Sequence, residues 1–94
     1  MNANRISSRA QCCLVGLAQG LTWEQIGTRL GCGWRTVARH IASARVALGE
    51  NPNELIERSV LIERATQAGI VQSGMRLSRG GYITYTVNSV VNRG

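Results

Sequence analysis

The sequence contains no lysine and no aspartate, so all eleven cationic side chains are arginines and all five acids are glutamates. It also has a single histidine. With so few acid–base groups, we recognise no carboxylate pair, no activated nucleophile and no phosphate-binding loop. We therefore expect that the protein is not an enzyme and needs no cofactor.

No apolar run approaches the ~20 residues that a membrane-spanning helix needs. The first residues, Met1–Arg5, lack the basic and then apolar pattern of a signal peptide. The three cysteines are an odd number, which does not suit a disulfide framework. A zinc site would also need His40 as its fourth ligand, and inert thiols are the simpler interpretation. We expect a cytoplasmic protein without a metal site.

The remaining composition is that of one small basic domain. The 94 residues carry a net charge of +6, and 44% of them are hydrophobic, which is too many for a disordered tail. Arginine presents a planar fork that matches phosphate oxygens and guanine edges. The composition therefore favours nucleic acid as a partner, with membrane phosphates as the alternative.

The spacing of apolar residues predicts a first helix over Ile6–Gln19, with Ser7 as its N-cap. Gly20 follows where a left-handed residue would end this helix. Thr22 and Gln25 then form a capping box at the start of a short second helix, which we expect to stop at Gly31.

A third helix is predicted from Trp34 to Leu48. Its buried stripe consists of four residues at helical spacing: Val37, Ile41, Ala44 and Leu48. The opposite side combines cations with small or apolar residues, namely Arg35, Arg39, Ala42 and Val46. A helix that enters a major groove needs this mixture. A solvated polar face is the ordinary alternative, but no acid occurs between Gly31 and Leu48, whereas such faces usually carry both signs.

This order of helix, short helix, glycine turn and basic helix is typical of a helix-turn-helix. Gly27 is small where the helices of the unit come close, and Gly31 lies in the turn. We therefore expect residues 1–50 to form a helix-turn-helix DNA-binding unit.

A family resemblance covers about Ile6 to Ile56. The matching residues are Leu14-x-x-Leu17-Ala18-x-Gly20-Leu21-Thr22, Ile26-x-x-x-Leu30-Gly31, Thr36-Val37-x-x-His40-Ile41 and Leu48-Gly49. This pattern resembles the DNA-binding domain of LuxR-type (GerE) regulators. The region is also similar to sigma-factor region four, with Arg45 in an Arg-x-x-Leu ending. Gly33, Ala38 and Ala47 depart from the LuxR-type pattern.

The resemblance implies that Thr36 binds phosphate near the start of the third helix and that Arg35, Arg39 and Ser43 face the groove. Trp34 either covers the edge of the core or stacks on sugars and thymine methyls. His40 either makes a structural hydrogen bond or reads bases. The complete set of DNA-binding candidates is Thr22, Trp34, Arg35, Thr36, Arg39, Ser43 and Arg45.

Residues 51–69 are predicted to form a long fourth helix, with Pro52 in its first turn and Gly69 as its stop. On one helix, Ile56 and Val60 lie nearly opposite Leu55 and Ile62. A helix that is apolar on two sides must be buried on two sides. We therefore expect dimerisation through Ile56 and Val60.

Residues 70–94 form a basic extension in which Met75–Leu77 and Tyr82–Val87 predict a β-hairpin with Arg79 at its tip. Alternation along the second strand places Ile83 and Tyr85 on one side, where they are further dimerisation candidates. The hairpin is either a wing that contacts phosphates through Arg76 and Arg79 or a dimer contact. A loosely ordered tail is the third alternative.

The expected fold is thus mainly α-helical and forms one domain, with a three-helix core, a fourth helix and a short C-terminal hairpin or strand. The expected function is sequence-specific binding of double-stranded DNA by a homodimeric transcriptional regulator, a repressor or an activator of phage or plasmid type. One alternative is a protein-interaction module for the transcription machinery or a LuxR-type regulator. Another is a phage DNA-packaging or recombination adaptor.

Overall fold

A computed structural model of the protein describes residues 6–86, which form a mainly helical fold with one small antiparallel sheet. The end of the predicted second strand at Val87 and the rest of the basic extension lie outside the described residues. No helix within 6–86 is both long and apolar enough to cross a membrane. The elements are α1 (Ser8–Ala18), α2 (Trp23–Leu30), α3 (Trp34–Ala47), α4 (Arg58–Gln67), β1 (Met75–Leu77) and β2 (Ile83–Tyr85).

The predicted ends of the first two helices are confirmed by their capping bonds. The Ser7 hydroxyl accepts a hydrogen bond from the amide of Ala10 at 3.1 Å. Thr22 and Gln25 form the reciprocal capping box, with side chain-to-amide distances of 2.9 and 3.0 Å. Gly31 then ends α2 in the left-handed conformation, with φ of 78°.

The turn between α2 and α3 passes directly over Gly27. A Cβ atom placed on this glycine would lie 2.5 Å from the carbonyl oxygen of Cys32, which is too close for any side chain. The sequence indicated a close approach at Gly27, and the structure shows that its neighbour is the backbone of the turn. This contact sets how near α3 begins to α2.

The core surrounds α1, which contacts α2, α3, α4 and β1. Leu14 of α1 is fully buried, and so are Ile26 of α2, Val37 of α3 and Leu77 of β1. Ile41 and Ala44 are also buried as predicted, whereas Leu48 is only partly buried. One face of α3 is therefore anchored in the core and the opposite face points outward.

The fourth helix is shorter than predicted, because α4 begins at Arg58 and not near Pro52. The Arg45 guanidinium donates hydrogen bonds to the carbonyls of Asn51 and Pro52, at 3.1 and 3.2 Å. The side chain of Asn51 accepts from the amide of Asn53, and the amide of Glu54 donates to the Asn51 carbonyl. These bonds close a turn and compete with helix formation.

Leu55 and Ile56 consequently precede the helix. They do not share a helix with Val60 and Ile62, so the predicted helix with two apolar sides is wrong. That pattern gives no argument for a second subunit. The predicted end of the helix is confirmed, since Ala68 caps α4 and Gly69 has a φ of 80°.

The predicted hairpin is confirmed over residues 75–85, and it packs on the helices. Met75 pairs with Tyr85, and Leu77 pairs with Ile83. The outer edge of β1 is covered at Leu77, because the Gln19 side chain accepts from its amide at 2.7 Å and the Arg29 guanidinium donates to its carbonyl at 2.6 Å. A loosely ordered tail is therefore the wrong interpretation for these residues.

Candidate nucleic-acid interface

The outward face of α3 carries two arginines and small or apolar side chains. Arg35, Arg39, Ser43 and Val46 are exposed, and Ala42 is partly buried between them. Neither Arg35 nor Arg39 forms a salt bridge with a residue in the part of the chain that the structure describes. This surface therefore presents guanidinium groups without an internal carboxylate to neutralise them.

The N-terminus of α3 opens onto the same surface. Its N-cap is Gly33, which has no side chain with which to bond the first amides of the helix. The positive end of the helix dipole and the amides of the first turn favour an anion at such a position. Thr36, the predicted phosphate contact, lies in this first turn and is partly exposed.

Two tryptophans and one arginine stack beside this helix start. The rings of Trp23 and Trp34 have centroids 6.5 Å apart and planes inclined by 27°. The guanidinium carbon of Arg35 lies 5.5 Å from the centroid of Trp34. Trp34 is nonetheless 47% exposed. It thus packs against a neighbour, remains accessible to a ligand and holds Arg35 by a cation–π contact.

His40 lies at the margin of the interface, partly buried on α3. Burial lowers the pKa of His40, and the positive charges of Arg9 and Arg39 lower it further. These effects favour the neutral form of the ring. Among the described residues we find no hydrogen-bond partner for it, so the structural hydrogen bond that was one interpretation of His40 is not formed there.

Arg45 was predicted to contact DNA, and the structure places it elsewhere. Its side chain is 10% exposed, and its Nε atom donates to the Glu50 carboxylate at 3.0 Å. Its other two nitrogens hold the carbonyls of residues 51 and 52, as described above. All three nitrogens of the guanidinium are bonded within the protein. Arg45 is therefore removed from the set of DNA-binding candidates.

Glu50 is the anion of this internal network. Burial alone would raise the pKa of Glu50, but hydrogen bonds from Arg64 and Arg45 outweigh burial and hold the pKa below its usual value. The Arg64 contact is 2.6 Å long. Glu50 thus remains charged and ties the end of α3 to α4.

None of the five acidic residues lies within α3. Four of the five glutamates lie within residues 50–64, and the fifth, Glu24, lies in the first turn of α2. No glutamate follows residue 63. The helix α3 itself carries no acid, although Glu54 of the following stretch lines a groove with Ala38 and Ala42.

The two hairpin arginines point to different surroundings. Arg79 lines a polar basin with Gln25, Thr28 and Arg29 of α2. Arg76 lines a separate groove beside α1 and α4, together with Gln19 and Ile62 among others. The sequence predicts that both arginines contact phosphates as parts of one wing, but the structure places them on two different surfaces.

The remaining predicted residues lie on several elements. Thr22 is exposed at the start of α2, where its hydroxyl serves as the N-cap. Of the dimerisation candidates, Ile56 and Val60 are partly buried before and within α4, while Ile83 and Tyr85 lie in β2, with Tyr85 61% exposed.

An apolar groove next to α3 was missed at the sequence level. Its volume is about 400 Å³, and it lies between α3 and the segment 52–58. Trp23, Ala38 and Ala42 line it together with Leu55, which is fully exposed. In the sequence, the adjacent apolar residues Leu55 and Ile56 indicate this surface, but they precede α4 and do not belong to a helix.

The thiols lie in the interior. Cys12 and Cys13 are buried and Cys32 is partly buried. Burial, with smaller contributions from Cys12 and Cys32, raises the pKa of Cys13 to about 12. Within residues 6–86, no three histidine, cysteine or glutamate side chains lie close enough together to hold a metal ion.

No protein-family model, no curated protein and no solved structure matches the chain.

Proposed function

We propose that the protein is a sequence-specific DNA-binding regulator of transcription in which α2 and α3 act as a helix-turn-helix. The resemblance to LuxR-type domains points in the same direction. In this proposal α3 is the recognition helix, and it reads base edges in the major groove while its N-terminus approaches the backbone.

One observation carries the proposal. The outward face of α3 exposes Arg35 and Arg39 beside small side chains, and none of the described acids forms an ion pair with either arginine. A cationic face without internal counter-charge is suited to a polyanion. Small residues on the same face let the helix approach a groove closely.

The contacts divide by chemistry. Thr22, Thr36 and the amides of the first turn of α3 would hold phosphates and fix the position of the protein on the duplex. Arg35 and Arg39 would hydrogen-bond base edges, guanine above all, because the guanidinium fork matches its two acceptors. Ala42 and Val46 would lie against thymine methyl groups.

A homodimer is part of the proposal. A two-fold dimer would bind an inverted repeat whose half-sites lie about one helical turn apart. The surface offered for this contact is Ile83 with Tyr85 on the hairpin, because the helical pattern that suggested Ile56 with Val60 is not formed.

Selection of bound sequences from a pool of random duplexes tests the function. We expect a palindromic consensus for the unmodified protein. Arg39→Ala should abolish or relax one position of the consensus. The matched control is Arg76→Ala, because Arg76 is also an exposed arginine but lines the groove beside α1 and α4, away from α3. A pool that shows no enrichment contradicts the proposal.

The apolar groove favours one alternative, a module that binds a protein of the transcription machinery. Exposed Leu55 and the side of Trp23 form the kind of surface that protein contacts cover. If duplex DNA is not bound even at low salt and a polymerase or sigma-factor subunit is bound, this alternative replaces the proposal.

A further inference from the structure

The basin between α2 and the tip of the hairpin is a second cationic surface, separate from the outward face of α3. Its volume is about 410 Å³, and it is lined by Gln25, Thr28, Arg29 and Arg79. None of these four residues is acidic. The tip that carries Arg79 is the turn between β1 and β2.

The tip is fixed against α2. Gly81 has a φ of 83°, and a Cβ atom placed on it would lie 3.2 Å from the carbonyl oxygen of Arg29. The Gly81 carbonyl also accepts a bond from the Cys12 thiol at 3.7 Å. Within the turn, the Ser78 amide donates to the Tyr82 carbonyl at 2.8 Å. These bonds hold the backbone at Ser78 and at Gly81, on either side of Arg79. They therefore fix the position of the Arg79 backbone next to α2.

The groups that line the basin are hydrogen-bond donors. Arg29 uses Nη1 to bond Leu77, which orients its guanidinium and leaves four of the five N–H groups that an arginine carries. The Gln25 side-chain oxygen accepts from the Thr22 amide, so its amide nitrogen is a donor held in place. A set of positioned donors with two positive charges fits the oxygens of a phosphate.

We infer that this basin binds a phosphate of the DNA backbone through Arg79, supported by Arg29 and Gln25. The inference rests on the proposed function for the identity of the polyanion. In a helix-turn-helix complex the first helix of the pair crosses the backbone, so phosphates pass beside the outer face of α2. The hairpin tip thus extends the footprint beyond the groove that α3 enters.

The test compares two arginines of the same hairpin. Arg79→Ala and Arg76→Ala each remove one charge, but Arg76 lines the groove beside α1 and α4. Affinity is measured by fluorescence anisotropy on the selected duplex and on a random duplex, at several salt concentrations. We expect Arg79→Ala to weaken binding to both duplexes about three- to tenfold at low salt and to lower the slope of log K against log[salt] by about 1. Arg76→Ala should change affinity less than about twofold, as expected for an exposed charge outside the contact.

A second variant closes the basin while leaving Arg79 in place. Thr28→Glu puts a carboxylate between the two arginines and should weaken binding as much as Arg79→Ala does. Its control is Ser59→Glu, which adds the same charge at an exposed position near the start of α4. Circular dichroism of all four variants checks that they are folded.

If the unmodified protein binds DNA but Arg79→Ala and Arg76→Ala weaken its affinity equally, this inference is wrong and the proposed function is unaffected. The inference is also overturned if Arg79→Ala weakens only the selected duplex and leaves the salt slope unchanged, because Arg79 would then read a base. If the unmodified protein binds neither duplex at low salt, the proposed function and this inference fail together.

Discussion

Arg39 and Arg45 lie on the same helix, six residues apart, in opposite environments. Arg39 is exposed on the outward face, and no acid in the described residues pairs with it. Arg45 is buried and bonds the Glu50 carboxylate and two backbone carbonyls. Arg39 is available to an external anion, whereas the hydrogen bonds of Arg45 are all made within the protein.

The position of the acids produces this difference. The turn that follows α3 brings Glu50 back to Arg45, and the acidic stretch 50–64 begins there. In the preceding turns of α3, neither Arg35 nor Arg39 forms an ion pair with a glutamate of the described residues. A charge that is paired inside the protein stabilises the fold, and one that is left outside can bind a partner.

The largest expected effect is that of Arg45→Ala on stability. This change leaves the mostly buried Glu50 carboxylate with Arg64 alone and removes the donors of two carbonyls, which should cost about 2–4 kcal/mol. Urea unfolding followed by circular dichroism measures it. DNA affinity per folded molecule should stay within about twofold, and a specific loss of DNA binding without loss of stability would contradict the assignment of Arg45 to the fold.

Arg39→Ala should show the opposite pattern. If Arg39 binds guanine through both arms of its fork, the variant loses about 1–3 kcal/mol of binding to the selected duplex. Its free energy of unfolding should stay within about 0.5 kcal/mol, because Arg39 is exposed. Equal losses on selected and random duplexes would make Arg39 a phosphate contact and not a reader of bases.

The third prediction concerns pH and the Arg45–Glu50–Arg64 network. Glu50→Gln should cost about 1 kcal/mol of stability at pH 7, because it removes the charge that both arginines bond. The pKa of Glu50 is lowered in the folded protein, so its contribution is present above the unfolded-state pKa of about 4.5 and is lost as the pH falls below that value. Unfolding curves of both proteins at pH 7 and pH 3 measure the change. A difference in stability that is the same at both pH values would contradict the role of the charge.

The smallest effect is expected for Trp34, which stacks under Arg35. Trp34→Ala should weaken DNA binding by about 0.5–1 kcal/mol, since the Arg35 guanidinium loses its cation–π contact. Trp34→Phe keeps an aromatic face and should recover most of the loss. If both variants bind equally weakly while remaining folded, the indole itself touches DNA and its role is not to position Arg35.

Local sequence chemistry was sufficient for several elements. Ser7, the Thr22–Gln25 capping box and Gly31 act through neighbours three or four residues away, so their positions could be predicted and are confirmed. The hairpin followed from alternation and from the glycines before its second strand. The exposed and buried faces of α3 followed from helical periodicity.

The errors come from contacts that helical periodicity does not encode. Periodicity alone could not show that Arg45 would bond the carbonyls of residues 51 and 52 and so delay the start of α4. The same contact withdrew Arg45 from the predicted interface. The division of Arg76 and Arg79 between two surfaces depends on how the hairpin packs against α1 and α2, which no local pattern encodes.

The central claim is that the outward face of α3 is the surface that meets DNA, and an NMR titration tests it most directly. The amide and side-chain resonances of the labelled protein are followed as the selected duplex is added at low salt. We predict that the largest shifts fall on residues 34–43, including the Trp34 indole and the Arg35 and Arg39 side chains, while residues 50–64 shift little. Shifts concentrated in 50–64 and the apolar groove, or no shifts at all, would contradict the account.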